Sequence, residues 1–194
     1  MHPDELEARL TFLFPPEMRH GLLDVDGDGD GIDLAYLHPR DEGERSFLVL
    51  AEHPEFLAAI RDEVDDVVVG GHVVNPRLHL TLHEVVANQV IGDDPPETWQ
   101  TAERLTALGY DRAEVLHMLA SVNASMIWRA SRNGDVSRAA LLAELDELPA
   151  SWEADRPVGP SGVASSPATP RTTAPRRATP QHVVPRAHRP RRRH

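Results

Sequence analysis

Cysteine and lysine are both absent from this chain. Without cysteine there are no disulfides, no thiolate ligands and no thiol nucleophile. All 20 basic residues are therefore arginine, which a GC-rich coding sequence explains without any appeal to function. Aromatic residues make up only 5% of the chain. No apolar run approaches the ~18 residues of a membrane span. The opening residues, Met1-His2-Pro3-Asp4-Glu5, are acidic and lack the apolar core of a signal peptide. The sequence has no Gly-x-Ser-x-Gly elbow, no P-loop and no dinucleotide fingerprint, so the common nucleophile and nucleotide chemistries have no footing. A soluble, cytoplasmic protein is expected.

What is present divides into unlike parts. The overall charge of −11 conceals 29 acids against 11 arginines in residues 1–150, and two acids against nine arginines in residues 151–194. The acidic part should repel nucleic acid and anionic membranes. The basic part, ending Arg189-Pro-Arg-Arg-Arg-His194, could touch phosphates without sequence choice, but no aromatics lie between its arginines to stack on bases. Its Pro, Ala, Ser, Thr and Arg composition buries too little to offset the cost of ordering, so a disordered tail over 151–194, firmest from 156 onward, is expected. Three regions follow: residues 1–43, an N-terminal helix with an acidic Gly/Asp-rich loop; residues 44–150, a helical domain; and the tail.

Helix signals dominate the middle of the chain. Residues 4–14 read as a short helix stopped by Pro15-Pro16, and 44–52 as an apolar helix ended by His53-Pro54, with Pro54 opening the next. Asp65-Asp66-Val-Val-Val-Gly-Gly71 reads as an extended connector, since no partner strand is evident. Asn75-Pro76 supplies a cap and a first-turn proline for a helix on which Leu78, Leu82, Val85, Val86 and Gln89 share an arc. His79 and His83 lie along its edge. Asp94, Pro95 and Glu97 suggest a capping box for the following helix, which Gly109 stops. Asp111 and Glu114 repeat that pattern for the helix carrying His117, with Leu116, Leu119 and Ile127 as core and Trp128 near its end. Asn133-Gly134-Asp135 turns into a last helix near 136–148. The expected fold is all-α, a compact bundle of about five or six helices.

The chemistry concentrates in histidine. His79 and His83 are four residues apart, so on a helix they are neighbours about 5–6 Å apart at Cβ. His117 lies on a face of small residues, Ala113, Ala120 and Ala124, which allows another helix to approach closely. Three imidazoles of this kind suit a divalent transition metal, with Glu114, about 60° round the helix from His117, as a fourth ligand or an outer acceptor. Gln89 and Asn123 are neutral polar residues near the same core. Buried histidines are also ordinary hydrogen-bonded core residues, and a metal-free binding role is a further alternative. A zinc-protease motif is excluded, because Leu80 stands where His-Glu-x-x-His requires glutamate.

The acidic stretch from Asp24 to Asp33 opens like an EF-hand loop, with Asp24, Asp26, Asp28 and Gly29 in place. The pattern then fails, since Ala35 occupies the twelfth position where a bidentate glutamate is needed. A solvated acidic turn is the preferred reading.

The residues Asn75-Pro76, Leu78-His79, His83, Gln89, Asp94-Pro95-Pro96-Glu97, Arg104-Leu105, Gly109, Glu114, His117 and Trp128 resemble a bacterial family known as domain of unknown function 1841. His53-Pro54-Glu55-Phe56 is similar to that family's His-Pro-Glu-aromatic step. The family carries no assigned activity, so the resemblance implies a motif and no reaction. Many relatives have a second His-x-x-x-His pair where Ala113 and His117 stand here, which leaves three histidines in this chain. The resulting expectation is a small helical protein with a metal site at His79, His83, His117 and Glu114, of unspecified reaction. The competing expectation is a metal-free module that engages a protein partner.

Overall fold

The computed structural model describes residues 1–132 and 134–155 of the chain. Among them, eight α-helices and two small hairpins form an all-α bundle. The helices are α1 (Pro3–Leu13), α2 (Glu42–Ala51), α3 (Leu57–Arg61), α4 (Pro76–Gly92), α5 (Pro96–Ala107), α6 (Arg112–Ser131), α7 (Arg138–Glu147) and α8 (Ala150–Asp155). No helix among the described residues is long and apolar enough to cross a membrane.

Helix α4 is the hub and packs against α1, α2, α5 and α6. Being surrounded, it buries a wider arc than the one read from its sequence: Leu80, Leu82, His83, Val86, Ala87 and Val90 face inward. Leu78, expected on the buried arc, is 48% exposed. The histidine edge has therefore become part of the buried face. On α6, Val115, Met118, Leu119 and Val122 form the matching stripe, whereas Ile127 and Trp128, expected in or beside the core, are exposed.

The N-terminal segment shares this core. Leu13 and Phe14 are buried in the same cluster as Val86 and Leu119. Buried Arg9 donates to the carbonyl of Val90 at 2.8 Å and to Asp93 Oδ1 at 2.7 Å, tying α1 to the end of α4.

Local rules explain most of the boundaries. Asn75 Oδ1 accepts from the Leu78 N–H at 2.9 Å, and Asp111 Oδ1 from the Glu114 N–H at 2.8 Å, satisfying first-turn donors as expected. The α5 start differs from expectation: Pro95 is the cap residue and Asp94 makes no cap. Asp94 and Glu97 are instead drawn to Arg138 at the start of α7, at 3.5 and 2.8 Å.

The valine segment is a strand and not a connector. β3 (Val67–Val69) pairs antiparallel with β4 (His72–Val74), a partner supplied by the next three residues. Gly70 and Gly71 both have positive φ, 58° and 87°, the backbone that a two-residue hairpin turn requires. A smaller ladder, β1 (Leu22–Leu23) with β2 (Ile32–Asp33), closes the acidic loop. Residues 151–155, expected to belong to the tail, continue as α8, where Trp152 packs against the core. The rest of the expected tail, and Asn133 of the expected turn, lie outside the described residues.

Candidate metal centre

Three pieces of local structure bring the histidines side by side. The cap at Asn75 and the proline at the first position fix where α4 begins, placing His79 and His83 on successive turns. The cap at Asp111 fixes the register of α6 and carries His117 alongside. The third piece is the end of α2, where Pro54 disfavours helical geometry at the preceding residue and leaves His53 at φ −124°, ψ 58°.

The four rings converge. The His53 ring centroid is 4.7 Å from that of His79 and 4.6 Å from that of His83. His79 and His83 are 4.8 Å apart. His117 completes the group at 4.8 Å from His83, 5.3 Å from His79 and 6.1 Å from His53. One ring nitrogen from each of His53, His79 and His83 falls within 4.8 Å of the others. Phe56, 1% exposed, backs the cluster with its ring 5.1 Å from His79.

Hydrogen bonding assigns the tautomers of two rings. The Nδ1 of His117 lies 2.7 Å from the Ala113 carbonyl oxygen, which can only accept, so this nitrogen carries the proton and Nε2 the lone pair. The Nδ1 of His53 lies 3.3 Å from Glu55 Oε1, with the same consequence. In His79 and His83, the Nε2 atoms are buried and find no hydrogen-bond partner among the described residues. Buried polar atoms in native proteins nearly always have partners, so two orphaned imidazole nitrogens side by side are unusual.

Electrostatics disfavour charge on His53, His79 and His83. Burial pushes His83 from its ordinary 6.5 down to about 2, helped by repulsion from His53, His117 and His79. Burial likewise lowers His79 to about 4. His53 also moves down, chiefly by burial, although Glu55 opposes the shift. Neutral imidazoles are metal ligands that need not first lose a proton.

The structure thus brings ligand atoms of His79 and His83 together with one of His53, which sequence reasoning treated only as a helix stop and part of a family step, while the His117 ring packs against His83 outside that group of converging atoms. The signal was the proline: a histidine just before a helix-breaking residue, followed by a buried aromatic, is held out of the helix and fixed in place. Glu114 is placed differently. Its carboxylate accepts from Trp152 Nε1 at 3.4 Å, and it is not in the group of converging ligand atoms. Gln89 and Asn123 pair with each other across α4 and α6, at 3.1 and 3.2 Å.

Two neighbours surround the rings. Glu52, the residue before His53, accepts from Arg112 Nη2 at 2.7 Å, and Arg112 Nη1 donates to the Leu13 carbonyl at 2.6 Å. The acidic loop is elsewhere and internally engaged: Asp24 accepts from the N–H groups of Gly27 and Gly29 at 2.7 and 3.1 Å.

Comparison with known proteins finds no curated relative and no solved structure that matches this chain. His53, His79, His83 and His117 all fall inside residues 41–147, the span matched by the family model described as Domain of unknown function (DUF1841), and the chain belongs to that family.

Proposed function

We propose that this protein binds one divalent transition-metal ion through the Nε2 atoms of His53, His79 and His83, with His117 as a fourth nitrogen donor. The observation that carries the reading is the pair of buried, unpartnered Nε2 atoms on His79 and His83, facing a third buried imidazole. An ion would satisfy them at ~2.0–2.1 Å, after the rings draw together from their present spacing. The donor set is all nitrogen, which suits zinc, copper, nickel, cobalt or iron(II) better than magnesium or calcium.

Four neutral ligands leave the ion's double charge undiminished. Such an ion is a strong Lewis acid and lowers the pKa of bound water, the property used in metal-assisted hydrolysis and hydration. Glu55 would orient His53 as an outer carboxylate, and the Ala113 carbonyl would orient His117 in the same way.

The test is elemental mass spectrometry on the untagged full chain, purified gently from metal-replete growth, beside His53→Ala, His79→Ala and His83→Ala variants. About one equivalent of a single transition metal in the wild type, lost in each variant, is the expected result. Metal-free wild type would return the histidines to a packing role and favour a module that works through its surface.

A further inference from the structure

The histidine cluster has an inner side and an outer side. His53 and His83 are each 7% exposed, while His79 is half-buried. On the inner side, a narrow pocket of about 10 Å³ adjoins His53 and His83. Its apolar walls are Leu13, Phe14, Val49, Ala87 and Leu116, all buried in the core. The one carboxylate on it is Glu52, whose side chain is 15% exposed and held by Arg112.

Size and chemistry together narrow what this pocket can take. Roughly 10–15 Å³ of such space is the least that holds a single water. A carbon-based substrate does not fit, and the Glu52 carboxylate, which accepts from Arg112 and keeps further lone pairs, gives the pocket a polar wall. A ligand with one lone pair for a metal and one O–H for a carboxylate matches both walls.

Resting on the metal-centre reading above, we propose that this pocket is the seat of a single water or hydroxide ligand on the inner face of the metal, hydrogen-bonded to Glu52. Any larger substrate then has to approach from the half-exposed His79 and His117 side. Leu13 and Phe14 lie outside the matched family span of 41–147, so two walls of the seat come from beyond that span.

The experiment uses the full chain loaded with one equivalent of cobalt(II), whose electronic absorption reports coordination number. The wild type should show the weak visible bands of a five-coordinate ion. Ala87→Val, which fills the pocket, should shift the spectrum to the more intense bands of four-coordination while cobalt is retained. Val49→Ala, which widens the pocket, should let azide displace the water and give a charge-transfer band stronger than that of the wild type. If Ala87→Val does not fold, the Val49→Ala comparison decides alone. Four-coordinate wild type, or variants that retain cobalt with wild-type spectra and wild-type azide response, overturns the water seat and leaves the metal centre standing. Failure of the wild type to bind cobalt, zinc or copper removes the metal centre itself, and the seat with it.

Discussion

The Nδ1 of His53 is 3.3 Å from Glu55 Oε1, two residues along the chain, and this contact sets the tautomer of the most deeply placed imidazole not carried by a helix. Carboxylates that orient a ligating histidine typically change metal affinity about 10–100-fold when removed. Glu55→Ala should therefore weaken metal binding by about that factor. The Glu55 side chain is 42% exposed, so the fold should hardly notice. Competition with a chelator of known affinity, alongside a thermal melt, reads both. Equal affinities in the two proteins would remove Glu55 from the account.

Metal should stabilise the folded chain and spare the variants. An ion present at about 100 times its dissociation constant adds roughly 2.7 kcal/mol to the native state. Calorimetry with and without chelator should show a higher melting temperature for the loaded wild type. His83→Ala should melt at one temperature in both conditions. A wild type that shows no difference at confirmed metal content would contradict ligation by buried rings.

The metal-free protein should lose stability as pH falls. His79 and His83 resist protonation down to about 4 and about 2 in the fold, whereas ordinary histidines titrate at 6.5. Below 6.5 the unfolded chain therefore binds more protons than the folded one. Stability from these neutral rings is complete above that pH and declines as pH drops towards the folded values. His83 alone should contribute a slope of about 1.4 kcal/mol per pH unit. Urea unfolding of wild type and His83→Gln between pH 7.5 and 5 checks this, because the difference isolates the ring. Parallel pH profiles for the two proteins would count against a neutral, buried His83.

Arg112 gives a separate prediction. It holds Glu52 at 2.7 Å and the Leu13 carbonyl at 2.6 Å, joining the start of α6 to the ends of α2 and α1. Their side chains are 19% and 15% exposed, between a surface pair and a buried one. Arg112→Ala should cost about 2–3 kcal/mol, much of it from leaving Glu52 without its partner. Adding Glu52→Gln should recover part of that loss. A double variant no more stable than Arg112→Ala would show that the backbone contact matters and the ion pair does not.

Much of this arrangement was legible from local patterns. Asn75-Pro76 and Asp111 with Glu114 announced two helix starts correctly, because capping is settled within one turn. The spacing of His79 and His83 announced a shared face for the same reason. What escaped were relations between distant segments. Asp94 and Glu97 looked like a local cap but are engaged by Arg138. The valines at 67–69 found a partner only three residues on, through two glycines that permit the turn. His53 had no spacing to mark it, since the residues it meets lie on α4 and α6. Glu114 stood at the right helical angle, but Trp152 of α8 claims its carboxylate, and no local pattern marks residues 151–155 as folding back.

The four imidazoles come from one connector and two separate helices, so an unfolded chain offers an ion only the adjacent pair on α4. An ion captured by all four would be a cross-link that exists only in the native topology and closes long loops of chain. Its presence would have to follow assembly of α2, α4 and α6, and its departure would have to precede their separation. Loading would then be a late checkpoint in maturation: chains that fold without metal would open more readily and fall to proteases first, while loaded chains would persist. In that sense the abundance of the protein in a cell would report the local supply of its ion.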